Sequence, residues 1–393
     1  MSYSYSAVLI RYGEIAIKSD QTRRRMVKLL VKHVKAALKE KRLQYHKVIV
    51  EYGRIFIQTD QADEVSSAIA RVFGIVSTSP VVVTSSDLQV IKDIGFDIAK
   101  SEFDPRLTFA VGARRVGKHD FTSQNVREGL GERIFEELHL KVDLSNPEQT
   151  IYVEVRDEKA YIFTKTIPGV GGMPTGTQGK VVCTVSTGLD SPIAAYKVMK
   201  RGAIPVLVYF DNTPHSGEGC TELAIRQATK LAEYIYNFDV KLYIIPHGPD
   251  LDEIGCHAPE RATCVMCKRN MLRLAREVAI RENADAIVTG EIIGEQASQT
   301  TANLRSINSV VTDFPVLRPL AGDDKVDIER LAIEIGTYQF AEDGLSCCTL
   351  APKYPLLNAD KDALEEIDTK MNFDIIKQEV DNARVLYLKR KNA

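Results

Sequence analysis

At 393 residues the chain is too long for one ordinary hydrophobic core, so two or three domains are expected. No apolar run approaches the roughly 18 residues of a membrane span and no signal peptide precedes Tyr5, which excludes a spanning helix and argues for a cytoplasmic protein. The net charge of −2 conceals an asymmetry: residues 1–50 carry 12 Lys and Arg against 3 Asp and Glu, residues 1–175 carry 26 against 22, and the remainder 25 against 31. A basic front end before an acidic second half suggests a polyanionic partner at the N-terminal side, against the plainer reading of a solvated basic helix face.

In chain order, residues 7–18 (AVLIRYGEIAIK) predict a strand and a turn. Residues 23–39 place Leu30, Val34 and Leu38 at helical spacing beneath basic side chains. Residues 47–59 predict a hairpin with Gly53 in its turn, and residues 65–73 a second helix. The order β-α-β-β-α-β is the ferredoxin-like pattern. Residues 80–170 continue in α/β style, with helices at 88–99 and 125–138, a strand at 107–111 and a hairpin across 151–167. The Gly-, Pro- and Thr-rich stretch 168–180 is the clearest domain boundary. Strands at 181–185, 206–210, 242–246 and 286–289 then alternate with helices at 221–236 and 264–281, the pattern of a doubly wound parallel sheet.

The first strand of that sheet runs VVCTV into Ser186-Thr187-Gly188-Leu189-Asp190-Ser191, and a helical pattern begins immediately after it. A strand entering a helix through small residues aims backbone N–H groups and a positive helix end at one point, a ready-made phosphate site. Ser186 and Ser191 add hydroxyls, Gly188 permits close approach, and Asp190 suits Mg²⁺ or a phosphate held through it. The run is not a Walker A loop but is similar to the S-G-G-x-D-S signature of PP-loop ATP pyrophosphatases, with Thr187 in place of a glycine. Residues 211–220 suit a lid or substrate loop. GEIIGEQASQT at 290–300 offers Gly290 for close approach and Glu291, Gln296, Ser298 and Gln299 as polar groups. Arg318 and Lys325 are candidate cations for a crowded α-phosphate, or ordinary surface charges.

All seven cysteines lie beyond residue 182, an odd number that argues against a disulfide framework. Cys264 and Cys267 form a C-x-x-C at a predicted helix start, where the helix end and Arg261, Lys268 and Arg269 favour thiolates. Cys347 and Cys348 are a vicinal pair. With three thiolates, a structural zinc needs a fourth ligand such as Cys256 or His257, whereas an iron–sulfur cluster on three cysteines leaves one iron open. Spacing alone leaves both choices standing.

The chain resembles the tRNA 4-thiouridine synthetase (ThiI) family, in its short form. RYGEIAIK, FAVGARRVGKHDFTS, STGLDSPIAAYKVMKRG, GEIIGEQASQTTANLRSI, VLRPLAGDDKVDI and CCTLAPKYP follow in that family's order. The resemblance implies an α/β architecture: a ferredoxin-like domain at 1–77, an α/β THUMP RNA-binding domain at 78–170, a linker at 171–180, and a doubly wound parallel-sheet PP-loop domain at 181–393. It implies an ATP-dependent tRNA sulfurtransferase that adenylates O4 of a uridine (position 8 in the family) and replaces AMP by sulfur. Ser186, Thr187, Gly188, Asp190, Ser191, Gly290, Gln299 and Arg318 are the expected nucleotide residues. Asp190, Lys325, Cys347 and Cys348 are the expected catalytic residues, with Cys347 the better match to the family's catalytic-domain cysteine. Arg114, Arg115, Lys118 and His119 are expected to face the tRNA. ATP, Mg²⁺ and a [4Fe–4S] cluster on Cys264, Cys267 and Cys347 are the implied cofactors. The chain is expected to lack the rhodanese domain of longer relatives, so sulfur comes from free sulfide or a persulfide-carrying protein. No membrane partner is implied, and a homodimer is compatible with the family. The alternatives are another PP-loop tRNA thiolase and a non-catalytic tRNA-binding relative.

Overall fold

The computed structural model describes residues 4–341 and 348–389, and the chain divides into two compact units at residues 172/173. Among the described residues no helix is long and apolar enough to cross a membrane.

The first unit opens with β1 (Ala7–Tyr12), α1 (Asp20–Glu40), β2 (Lys47–Glu51), β3 (Arg54–Gln58), α2 (Ala62–Ile69) and β4 (Ile75–Ser85). Helix α1 forms because Met26, Leu30, Val34, Ala37 and Leu38 recur on one face, and all are buried. Each large apolar side chain covered in this way contributes about 1.5–3 kcal/mol. Arg24, Arg25, Lys28, Lys32 and Lys35 occupy the exposed face. Strands β2-β3-β1-β4 pair antiparallel in that order, the ferredoxin-like sheet.

Next come α3 (Leu88–Glu102), β5 (Phe109–Val116), α4 (Ser123–Leu138), β6 (Gln149–Arg156), β7 (Lys159–Phe163) and the short β8 (Ile167–Pro168). They do not build a separate sheet. Strand β7 pairs with the second half of β4, so the order continues β2-β3-β1-β4-β7-β6-β5, and β8 joins the first half of β4. The boundary expected between residues 77 and 78 falls inside β4.

A buried ion network ties the two halves of this sheet. Glu154 of β6 accepts from Arg156 Nε at 2.7 Å and pairs with Arg54 Nε of β3 at 3.0 Å. Burial pushes the Glu154 carboxyl up, but the two guanidiniums more than offset it and leave it below its ordinary 4.5. A depressed folded value means that its contribution is complete above the unfolded value and is lost as pH falls through the folded one. Glu154→Ala, which takes from both cations the carboxylate they share, is expected to cost about 3–5 kcal/mol in denaturant unfolding. The variant should also show a weaker loss of stability between pH 5 and 3. An unfolding midpoint equal to that of wild type would contradict this account of the sheet.

The second unit runs β9 (Lys180–Thr184), α5 (Asp190–Lys200), β10 (Ile204–Asp211), α6 (Cys220–Ala232), β11 (Val240–Pro246), α7 (Gly248–His257), α8 (Thr263–Glu282) and β12 (Ala286–Val288). It closes with α9 (Thr301–Asn308), β13 (Val316–Leu317), α10 (Lys325–Ile335), α11 (Lys361–Asp368), α12 (Asp374–Asp381) and β14 (Arg384–Lys389). The sheet order is β13-β12-β9-β10-β11-β14, parallel except for β14, which lies antiparallel on the β11 edge. Strand β9 connects forward to β10 on one side, while β12 docks on its other side. In such sheets the crevice opens at the carboxyl ends of the strands where the order reverses, here β9 and β12.

Candidate active site

The loop leaving β9 turns tightly. The Ser186 backbone N–H donates to Ser191 Oγ at 2.7 Å, the Ser186 and Ser191 hydroxyls are 2.8 Å apart, and Gly188 N–H donates to Ser186 Oγ at 3.2 Å. Thr187 is absent from the positive-φ positions, so its Cβ fits the loop without backbone strain. Helix α5 begins with no side-chain cap, which leaves first-turn N–H groups for an anion. From below, the buried Gln227 of α6 donates to Thr187 O at 2.8 Å and fixes the loop's path. Gln227 had a signal in the sequence, as a polar residue on the apolar stripe of α6, but its role was not read from it.

The loop after β12 faces the first one. A Cβ built on Gly290 would lie 2.7 Å from Ser191 Cα and 2.9 Å from Ser191 N, backbone that cannot yield. Gly290→Ala is therefore expected to push the two loops apart and lower kcat/KM for ATP about 100-fold. A Cβ on Gly188 meets only Ser186 Oγ at 3.5 Å, so Gly188→Ala should fold normally. Calorimetric ATP titration of both variants checks the pair, and wild-type affinity in Gly290→Ala would refute the close-approach argument. Gln299 is buried and braces the same loop by accepting from Ile292 N–H at 3.3 Å.

Between the loops lies a cavity of about 470 Å³, within the range of small-molecule sites. Ser186, Thr187, Gly188, Asp190, Ser191, Gly290 and Gln299 line it, as expected. Glu291, Gln296 and Cys348, all singled out in the sequence, line it too, together with Lys268, Met271 and Phe210, which were not expected as its wall. Arg318 and Lys325 are not among the residues that line it. Arg318 donates to Glu291 at 3.2 Å and to Asn308 Oδ1 at 3.2 Å, and Thr289 also donates to Glu291. Lys325, the first residue of α10, reaches Asp190 at 2.6 Å and Glu295 at 2.7 Å. Burial raises the Asp190 carboxyl, Lys325 pulls it back and Glu295 pushes it further up. Burial alone would lower Lys325, but hydrogen bonds to its two carboxylate partners raise it, so it stays cationic. One ammonium thus bridges two acidic groups at the mouth of the phosphate loop.

The cysteines converge at the same end of the sheet. Cys264 and Cys267 lie on the first turns of α8. Cys348 follows the 211–219 loop closely, because Thr349 N–H donates to His215 O at 2.8 Å. The thiols of Cys264, Cys267 and Cys348 are near enough for charge on one to oppose charge on another. Burial, then Cys267 and Cys348, pushes Cys264 up to about 11. Burial also raises Cys348, against hydrogen bonds from the backbone of Leu350 and Ala351. For Cys264 the expected thiolate-favouring environment is thus overturned by burial. Arg269 turns away to Asp368, and Arg261 donates to Tyr354 O at 3.0 Å. Among the described residues no group of three or more ligating side chains is gathered closely enough to enclose a metal ion. Cys256 is exposed on α7, and His257 pairs with Glu253. Cys347 lies outside the described residues. Cys220 is disulfide-bonded, although the odd cysteine count argued against a disulfide framework.

In the first unit, Arg114 and Lys118 are exposed around the end of β5, where Gly117 turns the chain at φ +101°. Arg115 donates to Gly117 O at 2.9 Å and to His119 Nδ1 at 3.3 Å, and His119 Nε2–H donates to Asp157 O at 2.6 Å. Both ring nitrogens of His119 are thus committed to shaping the loop, while Arg114 and Lys118 present exposed cationic side chains.

Comparison with known proteins agrees with this anatomy. The ThiI family profile, described as thiamine biosynthesis protein (ThiI), matches residues 176–373, the ThiI ferredoxin-like domain residues 7–79, and the THUMP domain residues 85–165. A protein of Methanothermobacter thermautotrophicus called "Probable tRNA sulfurtransferase" is 40% identical over 385 residues, covering 97% of this chain and 96% of its own. One of the same name from Methanosarcina mazei is 35% identical over 389 residues, covering 98% and 96%. A solved 4-thiouridine synthetase–RNA complex with bound ATP superposes with a TM-score of 0.86 at 30% identity, covering 98% of this chain and 100% of that one. With an uncapped phosphate loop at the switch point of its sheet and this match along nearly its whole length, the chain belongs to the ThiI family.

Proposed function

We propose that this protein is an ATP-dependent tRNA sulfurtransferase that converts a uridine of tRNA, position 8 by family expectation, to 4-thiouridine in the cytoplasm. The observation that carries the reading is one cavity bounded by the phosphate loop, the Gly290 loop and Cys348, with the Asp190–Lys325 pair at its edge. ATP lies with its phosphates on the N–H groups of residues 186–191 and the start of α5. Uridine O4 attacks the α-phosphorus and pyrophosphate leaves. A sulfur nucleophile then attacks C4, the C4–O4 bond breaks, and AMP departs. Lys325, held by two carboxylates, is preorganised to meet the charge that builds on the phosphate, and Asp190 would hold Mg²⁺, which neutralises phosphate charge when bound. Arg114 and Lys118 supply phosphate contacts to the folded RNA.

By family expectation, Cys264, Cys267 and Cys347 are the residues that would hold an iron–sulfur cluster, and Cys347 lies outside the described residues. Soft sulfur donors suit such a group by chemistry, and the raised Cys264 thiol would release its proton on loading. When bound through three cysteines, the cluster supplies an iron open to sulfide. The sulfur donor is free sulfide or a persulfide-carrying protein. Nucleoside mass spectrometry of tRNA incubated anaerobically with protein, ATP and sulfide tests the reading. 4-Thiouridine that forms only when ATP is present supports it, and unmodified tRNA with continued ATP cleavage refutes it.

A further inference from the structure

Joining uridine O4 to phosphorus takes a proton from the uracil ring. N3 carries hydrogen while C4 and O4 form a carbonyl. Once O4 is bonded to phosphorus, C4 stays uncharged only through a double bond to N3, so the N3–H proton must leave. A base within hydrogen-bond reach of N3 is needed to receive it. Among the described residues, the cavity wall holds two carboxylates, Asp190 and Glu291, and no histidine. Asp190 is taken up by Lys325 at 2.6 Å, beside the phosphate loop. Burial holds the protons on Tyr209 and Cys348, the other ionisable acids of the wall.

Glu291 differs from these three. It is 8% exposed, and its Oε2 accepts from Arg318 Nε at 3.2 Å and from the Thr289 hydroxyl. Arg318 is itself anchored on Asn308 Oδ1 at 3.2 Å, so the donor that grips Oε2 is braced. The second oxygen, Oε1, makes no hydrogen bond among the described residues and stands 4.0 Å from Nζ of Lys268, another residue of the cavity wall. One oxygen is thus fixed and the other is available to a substrate. We propose that Glu291 is a catalytic residue of the first half of the reaction: its Oε1 accepts the N3–H of the target uridine and takes that proton as O4 attacks. The N–H electron pair becomes the C4–N3 double bond, the C4–O4 π pair forms the bond to the α-phosphorus, and the bond from that phosphorus to pyrophosphate breaks. Glu291 then gives the proton to solvent. The inference rests on the reading that uridine O4 is the group adenylated.

Two variants and two RNAs test it. Glu291→Gln keeps an oxygen for Arg318 and Thr289 but puts an amide N–H where the accepting oxygen stood. Glu291→Asp keeps a carboxylate and draws it back by one methylene from both partners. Each full-length protein receives saturating ATP and a tRNA transcript made with either uridine or 5-fluorouridine, whose fluorine makes N3–H more acidic. Single-turnover release of pyrophosphate is followed. With uridine RNA, Glu291→Gln should be about 10²–10³-fold slower than wild type and slower than Glu291→Asp. With 5-fluorouridine RNA its deficit should shrink about tenfold, because a more acidic proton needs less help from a base. A Glu291 that only braces the loop gives the opposite order, with the isosteric Gln milder than Asp, and equal deficits on the two RNAs. Either result overturns the proposal. If wild type releases no pyrophosphate in response to either RNA, the O4-adenylation reading is overturned as well, an outcome distinct from the ranking of the variants.

Discussion

Lys325→Ala is expected to leave the fold intact and to lower the rate of tRNA-dependent AMP formation ~10²–10³-fold, the usual cost of losing a preorganised charge-stabilising group. The side chain begins α10 and reaches across to the first residue of α5, so its removal disturbs no core packing. What it removes is the ammonium shared by two acidic neighbours: Asp190 at 2.6 Å and Glu295 at 2.7 Å. Without the ammonium, Asp190 loses the partner that opposes its burial and rises further, toward a protonated carboxyl that cannot hold a cation. Lys325→Arg should recover little, because a planar guanidinium cannot occupy the point between two carboxylates that an ammonium fills. Single-turnover measurement of AMP with saturating ATP and tRNA decides the matter. AMP formation in Lys325→Ala at the wild-type rate would remove the lysine from the chemistry.

Cys348→Ser should separate the two halves of the reaction. It lines the cavity near Cys264 and Cys267, on the wall to which the proposed reaction brings sulfur, and takes no part in the phosphate loop's own hydrogen bonds. Pyrophosphate release should therefore stay within about threefold of wild type, since the loop and the Lys325 pair are untouched, while 4-thiouridine falls by at least about 100-fold. Cys264→Ser and Cys267→Ser should behave alike, because residues that act as one unit fail together. Parallel assays of pyrophosphate and of the modified nucleoside provide the check. A coupled loss of both products would move the cysteines from sulfur delivery to nucleotide binding.

The elements that carry local chemistry were legible in the chain. Val181 to Val185 followed by small residues and a new 3.6-residue period can only be a strand, a tight loop and a helix, and the loop lies where that pattern put it. The ferredoxin-like order and the parallel alternation were readable for the same reason, since apolar periodicity is written in neighbouring residues. The sharing of β4 was not readable. Residues 77–80, Ser-Thr-Ser-Pro, look like punctuation, yet Pro80 sits opposite Val8 within a continuous eleven-residue strand. Helices α7, α11 and α12 and the edge strand β14 also went unread.

Contacts between distant residues had no local signature. Lys325 meets Asp190 across 135 positions, and Arg318 meets Glu291 across 27, so the sequence supplied the charges while only the fold paired them. Burial likewise reversed the expectation for the Cys264 thiol, because solvent exclusion depends on what packs above a helix turn and not on the charges beside it in the chain. By itself, then, the sequence determined the phosphate loop, the parallel sheet and the cysteine complement, which follow from periodicity and residue type. The tertiary structure alone decided which charges meet and which thiols are shielded from water, because each of those depends on a distance through space.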